Sequence, residues 1–270
     1  MAATMRFTVL GCGSSPGVPR ITGDWGNCDP ANPKNKRRRA SLLVEKIAGD
    51  GGKTVVVIDT GPDFRAQMID ANVTALDGVV YTHAHADHIH GIDDLRGYWI
   101  EQRRLIAVYA DVETQERLMA GFGYCFAKPA RSSYPPIVLA HTITHYEAFE
   151  ISGNGGVIRF EPLTQVHGSI NSLGFRIGDF AYCTDVSAFP DMTLARLGGL
   201  DVLVLDALQY NPHPSHMSID ESLAMVERLK PKRTIFTHMH TPLDYDRVMA
   251  ETPAHVEPGF DGLCVEISMD

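Results

Sequence analysis

Residues 83–88 read His-Ala-His-Ala-Asp-His and follow an apolar stretch at 78–82. Imidazoles two positions apart converge on one point only from an extended or turning backbone. The Asp87, His88 pair then adds a hard oxygen and a further nitrogen suited to a second cation. The run therefore predicts a loop that binds two metals rather than one. Histidines also occur at exposed strand ends, but that plain reading does not explain four donor residues within six positions.

Two metals held by histidines and carboxylates draw ligands from several loops. The chain supplies further candidates in His167, Asp185 and His238, each after a strand-like stretch. Taken singly, each also reads as a hydrogen-bonded polar residue at a strand end. Their order after the first run makes them candidate ligands.

The elements that must position these residues alternate. Strands are predicted at 7–10, 41–45, 54–59, 79–82, 106–109, 157–163, 173–177, 180–184, 202–205, 234–237 and 263–267, rich in β-branched or aromatic residues and bounded by Gly, Asp or Pro. Helices are predicted at 64–71, 112–122, 191–197, 218–229 and 245–249 from apolar spacing of three and four. Ser218 with Glu221 forms a capping-box start. Strand-like stretches run directly into Asp59, His83, Asp185, Asp206 and His238. Rigid strand ends can focus polar groups on one cleft. The pattern predicts an α/β fold of two packed sheets covered by helices.

The 270 residues read as a single domain spanning 1–270, since no stretch resembles a linker. With 44% hydrophobic residues and no apolar run near the roughly 20 needed to cross a bilayer, the chain is expected to be soluble and not membrane-bound. Its first residues run straight into a strand without a charged leader, so the expected location is cytoplasmic. Five cysteines, an odd and scattered set, predict thiols rather than a disulfide framework. A formal charge of −9 argues against long nucleic acid as a partner. The run 34–39, Lys-Asn-Lys-Arg-Arg-Arg, is a local exception that reads equally as a solvated loop or a phosphate contact.

The set Asp59, His83, His85, Asp87, His88, His167, Asp185 and His238 resembles that of the metallo-β-lactamase superfamily over most of the chain. The resemblance implies an αβ/βα four-layer sandwich with a dinuclear site at one edge. It implies that His83, His85 and His167 hold one ion, Asp87, His88 and His238 the other, and Asp185 bridges. Asp59 is implied to orient the ligand loop rather than to bind metal. Zn or Mn are the ions that suit these donors, with Fe as a further candidate. An Asp59-Thr60-Gly61 triplet also spells an aspartic-protease motif, but one copy has no symmetric partner.

The superfamily hosts many chemistries. Lactam hydrolysis is disfavoured because Asp185 stands where some antibiotic-hydrolysing members carry cysteine. The loop 211–217, Asn-Pro-His-Pro-Ser-His-Met, resembles that of the phosphodiesterase members, in which His216 corresponds to the general acid. Only 17 residues separate His167 from Asp185, too few for the RNA-gripping arm of transfer-RNA 3′-processing endonucleases. The segments 11–19 and 82–95 resemble the small cyclic-phosphodiesterase branch, that of the phosphoribosyl 1,2-cyclic phosphate phosphodiesterases. The resemblance implies hydrolysis of a small cyclic or nucleotide-like phosphodiester by a metal-bridging hydroxide, with His216 and Asp87 as catalytic residues. Relatives in this branch hold a structural zinc with a cysteine cluster and a histidine. Here Cys28 and His240 are present, but Asp24 and Gly26 stand where further cysteines are expected, so no structural zinc is expected. A thioester hydrolase resembling glyoxalase II, an RNA-processing nuclease and a non-catalytic nucleic-acid-processing subunit remain as alternatives.

Overall fold

A computed structural model describes residues 3–130 and 132–269. The first sheet contains β1 (Ala3–Gly11), β2 (Ser41–Ile47), β3 (Lys53–Ile58), β4 (Gly78–Val80), β5 (Ile106–Ala110) and β6 (Val138–Thr142), with the last strand, β14 (Cys264–Met269), on the outer side of β1. The second is ordered from β13 to β7: β7 (Phe149–Gly153), β8 (Gly156–His167), β9 (Ile170–Ile177), β10 (Phe180–Cys183), β11 (Val202–Asp206), β12 (Arg233–Thr237) and β13 (Val256–Pro258). Each sheet is antiparallel on one side and parallel on the other. The change comes at β3 in the first and at β10 in the second.

Parallel neighbours need crossovers, and helices occupy them. In the first sheet these are α1 (Phe64–Asp70), α2 (Ala86–Ile89), α3 (Leu95–Gln102) and α4 (Val112–Phe126); in the second, α5 (Asp191–Leu194), α6 (Ile219–Leu229) and α7 (Tyr245–Glu251). Alternation along the strands divides the core. Leu42, Val44, Val56 and Ile58 meet Phe160, Phe175, Leu203 and Phe236 between the sheets, whereas Leu43, Val57 and Val79 face Phe64, Met68, Leu95 and Leu118 of the covering helices. The strand ends thus rest on a core buried on both faces. No described helix is long and apolar enough to cross a membrane.

Differences from the predicted elements have local causes. β6 is an edge strand whose Leu139 and His141 are exposed, so no apolar alternation marks it. β13 is three residues long and ends on a proline. α3 buries only Leu95 and lacks an apolar stripe, and α2 is a single turn whose residues serve the site instead. The helix predicted at 191–197 stops at Leu194 and continues as turns. α6 begins as predicted: Ser218 accepts from the Glu221 N–H, and the Glu221 carboxylate accepts from the Ser218 N–H at 2.8 Å.

Candidate metal centre

The first half of the site is assembled around Asp59. The chain leaves β3 with Asp59 at φ +66°, left-handed backbone that only short polar residues and glycine adopt at small cost. The carboxylate is fully buried and accepts from the Thr82 N–H and Oγ1–H, both at 2.8 Å, and lies 2.7 Å from His88 Nδ1. Since the Thr82 hydroxyl donates to Asp59, it accepts from His83 Nδ1–H at 2.9 Å. That arrangement leaves Nε2 of His83 as the ring's free lone pair. Gly61 holds the loop from below. A Cβ there would lie 2.1 Å from the Asp87 carbonyl oxygen, so only glycine permits the approach.

The second half uses ends of the other sheet. His167 closes β8 and donates from Nδ1 to the Ser215 carbonyl at 2.7 Å, which directs Nε2 inward. Asp185 follows β10 at φ +55°, accepting from Thr184 Oγ1 at 2.6 Å. His238 follows β12 at φ +57°. Three site residues in left-handed backbone within two positions of a strand end are a cost that the surrounding core sustains.

The two halves meet as two donor groups, His83, His85 and His167 in one and Asp87, His88, Asp185 and His238 in the other, each with its ligand atoms within 4.8 Å of one another. Asp185 lies between them. Its Oδ1 is 3.2 Å from His238 Nε2, 3.8 Å from His167 Nε2 and 3.9 Å from His83 Nε2, while Oδ2 is 3.2 Å from His88 Nε2. Asp87 Oδ2 is 3.3 Å from His88 Nε2 and 3.6 Å from His238 Nε2. Although these are ion-pair distances, Nε2 of His83, His88 and His238 is buried with no aligned hydrogen-bond partner among the described residues. Buried, unpartnered nitrogens facing carboxylates, with Nδ1 of His83, His88 and His167 tied behind them, are the donor pattern that fits divalent metal ions.

Electrostatics agree. Burial raises the Asp185 carboxyl, but His238 and His88 beside it outweigh burial and hold it well below the usual carboxylate range. Burial, reinforced by neighbouring His88, keeps His83 neutral. Burial lowers His238 as well, yet the charges of Asp185 and Asp87 beside it lift it to about 9. Ionised carboxylates here are balanced by protons on imidazoles, and metal binding displaces such protons.

His216 stands at the edge of this cluster. Its Nδ1 is 2.7 Å from Asp206 Oδ2, and its ring lies 4.7 Å from that of His167 and stacks 4.6 Å from that of His238. Asp206 Oδ2 also accepts from the Val186 N–H at 2.9 Å, which fixes the carboxylate.

Comparison with known proteins places the chain. Residues 54–239 match the family described as Beta-lactamase superfamily domain. The chain belongs to the beta-lactamase superfamily. A solved structure described as a new diphosphatase from the PhnP family superposes with a TM-score of 0.88 at 37% identity, covering 100% of this chain and 99% of that one. A curated protein of Porphyromonas gingivalis named octanoyltransferase is 32% identical over 264 residues, 96% of this chain and 51% of that protein, so this chain spans about half its length. Zn(2+)-bound PqqB from Methylobacterium extorquens, 16% identical at a TM-score of 0.72 over 96% of this chain and 99% of that one, shares the fold. The protein is a metal-dependent hydrolase of metallo-β-lactamase fold.

Within this superfamily member, Cys28 and His240 do not meet. The Cys28 thiol faces the carbonyls of Thr241 at 3.4 Å and Leu243 at 3.3 Å. His240 bonds Ser14 Oγ at 2.9 Å through Nδ1 and Arg20 Nη2 at 2.6 Å through Nε2. Arg20 also pairs with Asp24 at 2.9 Å, so a guanidinium ties this loop to His240. Sequence reasoning brought all seven candidate ligands and His216 to one place but missed three neighbours. Thr82 adjoins the candidate ligand run, and that adjacency is the signal that could have found it. Ser15, whose hydroxyl donates to Asp87 Oδ2 at 2.6 Å, carried no signal, because the residues are 72 positions apart. Asp206 was visible as a strand end, yet nothing marked its pairing with His216.

Proposed function

We propose that this hydrolase, a single domain over 1–270, is a phosphodiesterase acting on small cyclic or nucleotide-like phosphodiesters. The observation that carries the reading is the buried Asp206, His216 pair set against the ring of His238. Support also comes from the 37% identical diphosphatase structure, whose reaction likewise breaks a phosphoryl linkage.

His83, His85 and His167 would hold one divalent ion and Asp87, His88 and His238 a second, with Asp185 shared by both; Zn²⁺, Mn²⁺ and Fe²⁺ suit these donors. Bound there, the ions supply Lewis-acid polarisation of the phosphoryl oxygens and an activated water. Asp59, Thr82 and the Ser215 carbonyl orient His88, His83 and His167 so that each Nε2 faces inward. His216 moves the proton. Held at Nδ1 by Asp206, the ring in its protonated form offers Nε2–H to the departing alkoxide, which leaves poorly without it. Ser15 donates to Asp87 Oδ2 and fixes that carboxylate, which as a ligand would take part in the reacting centre. His216 also lies within ligand distance of the cluster, but the other donors already divide into two sets without it.

A second reading, an acyl-ester or thioester hydrolase, draws on the relative named for octanoyl transfer. One experiment separates the two: metal-defined protein is assayed for kcat/KM on a 2′,3′-cyclic nucleotide, a dinucleotide, bis(p-nitrophenyl) phosphate, an octanoyl thioester and a precursor transfer RNA. Preference for the small phosphodiesters supports the proposal. Preference for the thioester replaces it, and preference for the precursor RNA overturns the small-substrate assignment.

A further inference from the structure

His238 differs from the other imidazoles of the cluster in how it is held. Nδ1 of His83, His88 and His167 bonds to Thr82, Asp59 and the Ser215 carbonyl, whereas neither nitrogen of His238 has an aligned partner among the described residues. Its ring stacks on that of His216, and the backbone carries the rest of the constraint. The placement of this donor therefore depends on what fixes the residues that follow it.

The segment 12–17 fixes them. The Met239 N–H donates to the Cys12 carbonyl at 2.8 Å, the Ser14 N–H donates to the Met239 carbonyl at 3.2 Å, and His240 Nδ1 lies 2.9 Å from Ser14 Oγ. On the side of the first sheet, the Gly13 N–H donates to the Arg38 carbonyl at 2.7 Å, just ahead of β2. Gly17 closes a turn by donating to the Ser14 carbonyl at 2.7 Å, and inside that turn the Ser15 hydroxyl reaches Asp87 Oδ2. One short segment thus joins Asp87, from the first half of the site, to the backbone behind His238, from the second.

Arg20 locks the segment from outside. Its Nη2 lies 2.6 Å from His240 Nε2, its Nη1 donates to Asp24 Oδ2 at 2.9 Å, and its N–H donates to the Asp24 carbonyl at 2.9 Å. A guanidinium has only donors, so His240 Nε2 must accept; the ring's N–H then sits on Nδ1 and donates to Ser14 Oγ. The charge on Arg20 in this way sets the tautomer of His240, and the tautomer sets the direction of the bond to Ser14. The Arg20, Asp24 pair is exposed on both sides and contributes little by itself, which leaves the His240 bond as the one with consequences for the site.

We propose that Arg20 is a positioning residue for the second ion: through His240 and Ser14 it fixes the segment 12–17, which sets Asp87 and His238 relative to each other. The proposal rests on the division of the donors between two ions, and adds that the two depend on Arg20 unequally. The recorded partners of His83, His85 and His167 lie outside the segment, so the first ion is indifferent to it. Groups that hold a ligand from behind typically change metal affinity about 10- to 100-fold, and Arg20, acting through two intermediaries, belongs at the lower end.

The test titrates metal-free wild type, Arg20→Ala, Arg20→Lys, Ser14→Ala and the double variant with Zn²⁺ against a chromogenic chelator, with Asp87→Asn marking the step that belongs to the second ion. Arg20→Ala is expected to weaken that step about tenfold and to leave the other unchanged. Arg20→Lys, whose ammonium also donates to Nε2, should recover part of the loss. The double variant should bind no more weakly than the weaker single variant, because the two residues act in one chain. Thermal denaturation is followed in parallel. Equal weakening of both steps, additive losses in the double variant, or a lower Tm with both steps intact would show that Arg20 only braces its loop, and each of these overturns the proposal, as does a second step that Arg20→Ala leaves unchanged. Wild type that takes up fewer than two ions refutes the two-ion division and the proposal with it, a failure seen without any variant.

Discussion

Two buried aspartates, Asp59 and Asp206, each stand at the C-terminal end of a strand and each hold a histidine Nδ1 at 2.7 Å, yet the two pairs face different surroundings. In the first, both side chains have no exposure, Thr82 supplies two further hydrogen bonds to the carboxylate, and His88 Nε2 is shut in against Asp185 and Asp87. In the second, His216 keeps 10% exposure, and among the described residues the carboxylate has only the Val186 N–H besides the ring, with Oδ1 unpartnered. The chemistry of the pair is the same. On the proposed reading, enclosure among carboxylates makes one imidazole a metal ligand, while a place at the cleft edge makes the other a proton donor.

The comparison breaks most completely if the charge between the pairs is removed. Asp185→Asn should weaken both metal sites together and abolish hydrolysis, because Asp185 approaches donors of both groups. Elemental analysis after gentle purification decides it, and two retained ions would show that Asp185 is not shared.

His216→Ala should fold, keep its metal and lose roughly 10²- to 10⁴-fold in phosphodiesterase rate. The loss should shrink for a p-nitrophenyl ester, whose leaving group departs without a proton. Equal slowing of alkyl and nitrophenyl esters would make His216 a positioning residue, and loss of metal would make it a ligand.

Substituting the aspartates themselves sharpens the contrast. Asp59→Asn is expected to lower metal affinity about 10- to 100-fold, with turnover restored by excess metal. Asp206→Asn is expected to retain both ions and lose on the order of tenfold in rate, which added metal does not restore. Should competition with a chromogenic chelator show the same affinity loss in both variants, the two pairs serve one role.

The smallest effect tests the support behind His216. Ser218 caps α6 two residues after His216, and Ser218→Ala should cost about 1 kcal/mol of stability, read as a lower Tm by thermal denaturation. A larger drop together with metal loss would mean that the cap holds the ligand cluster and not only the helix.

Most of the candidate donor set was legible because it depends on local sequence. Residues 83–88 lie on one short stretch, and His167, Asp185 and His238 follow apolar runs that announce strands. Elements without such a pattern were not legible: β6 is a mostly exposed edge strand, β13 is too short for alternation, and α3 has no apolar stripe. In each, hydrogen bonding to neighbours supplied by the rest of the fold decides the conformation, and local composition does not.

By itself the sequence determined the residue types that fit divalent metals, the alternation that sends Val56 and Ile58 to one core and Val57 to the other, and the Ser218, Glu221 cap, since each follows from backbone period or from neighbours within a few positions. Only the tertiary structure decided that Asp206 takes His216, that Ser15 reaches Asp87, and that Arg38 pairs with Asp261 while Arg39 pairs with Asp63. Those pairings depend on which strand ends and turns the two sheets bring together, and a short hydrogen bond or an ion pair is set by that three-dimensional proximity, which chain spacing does not encode.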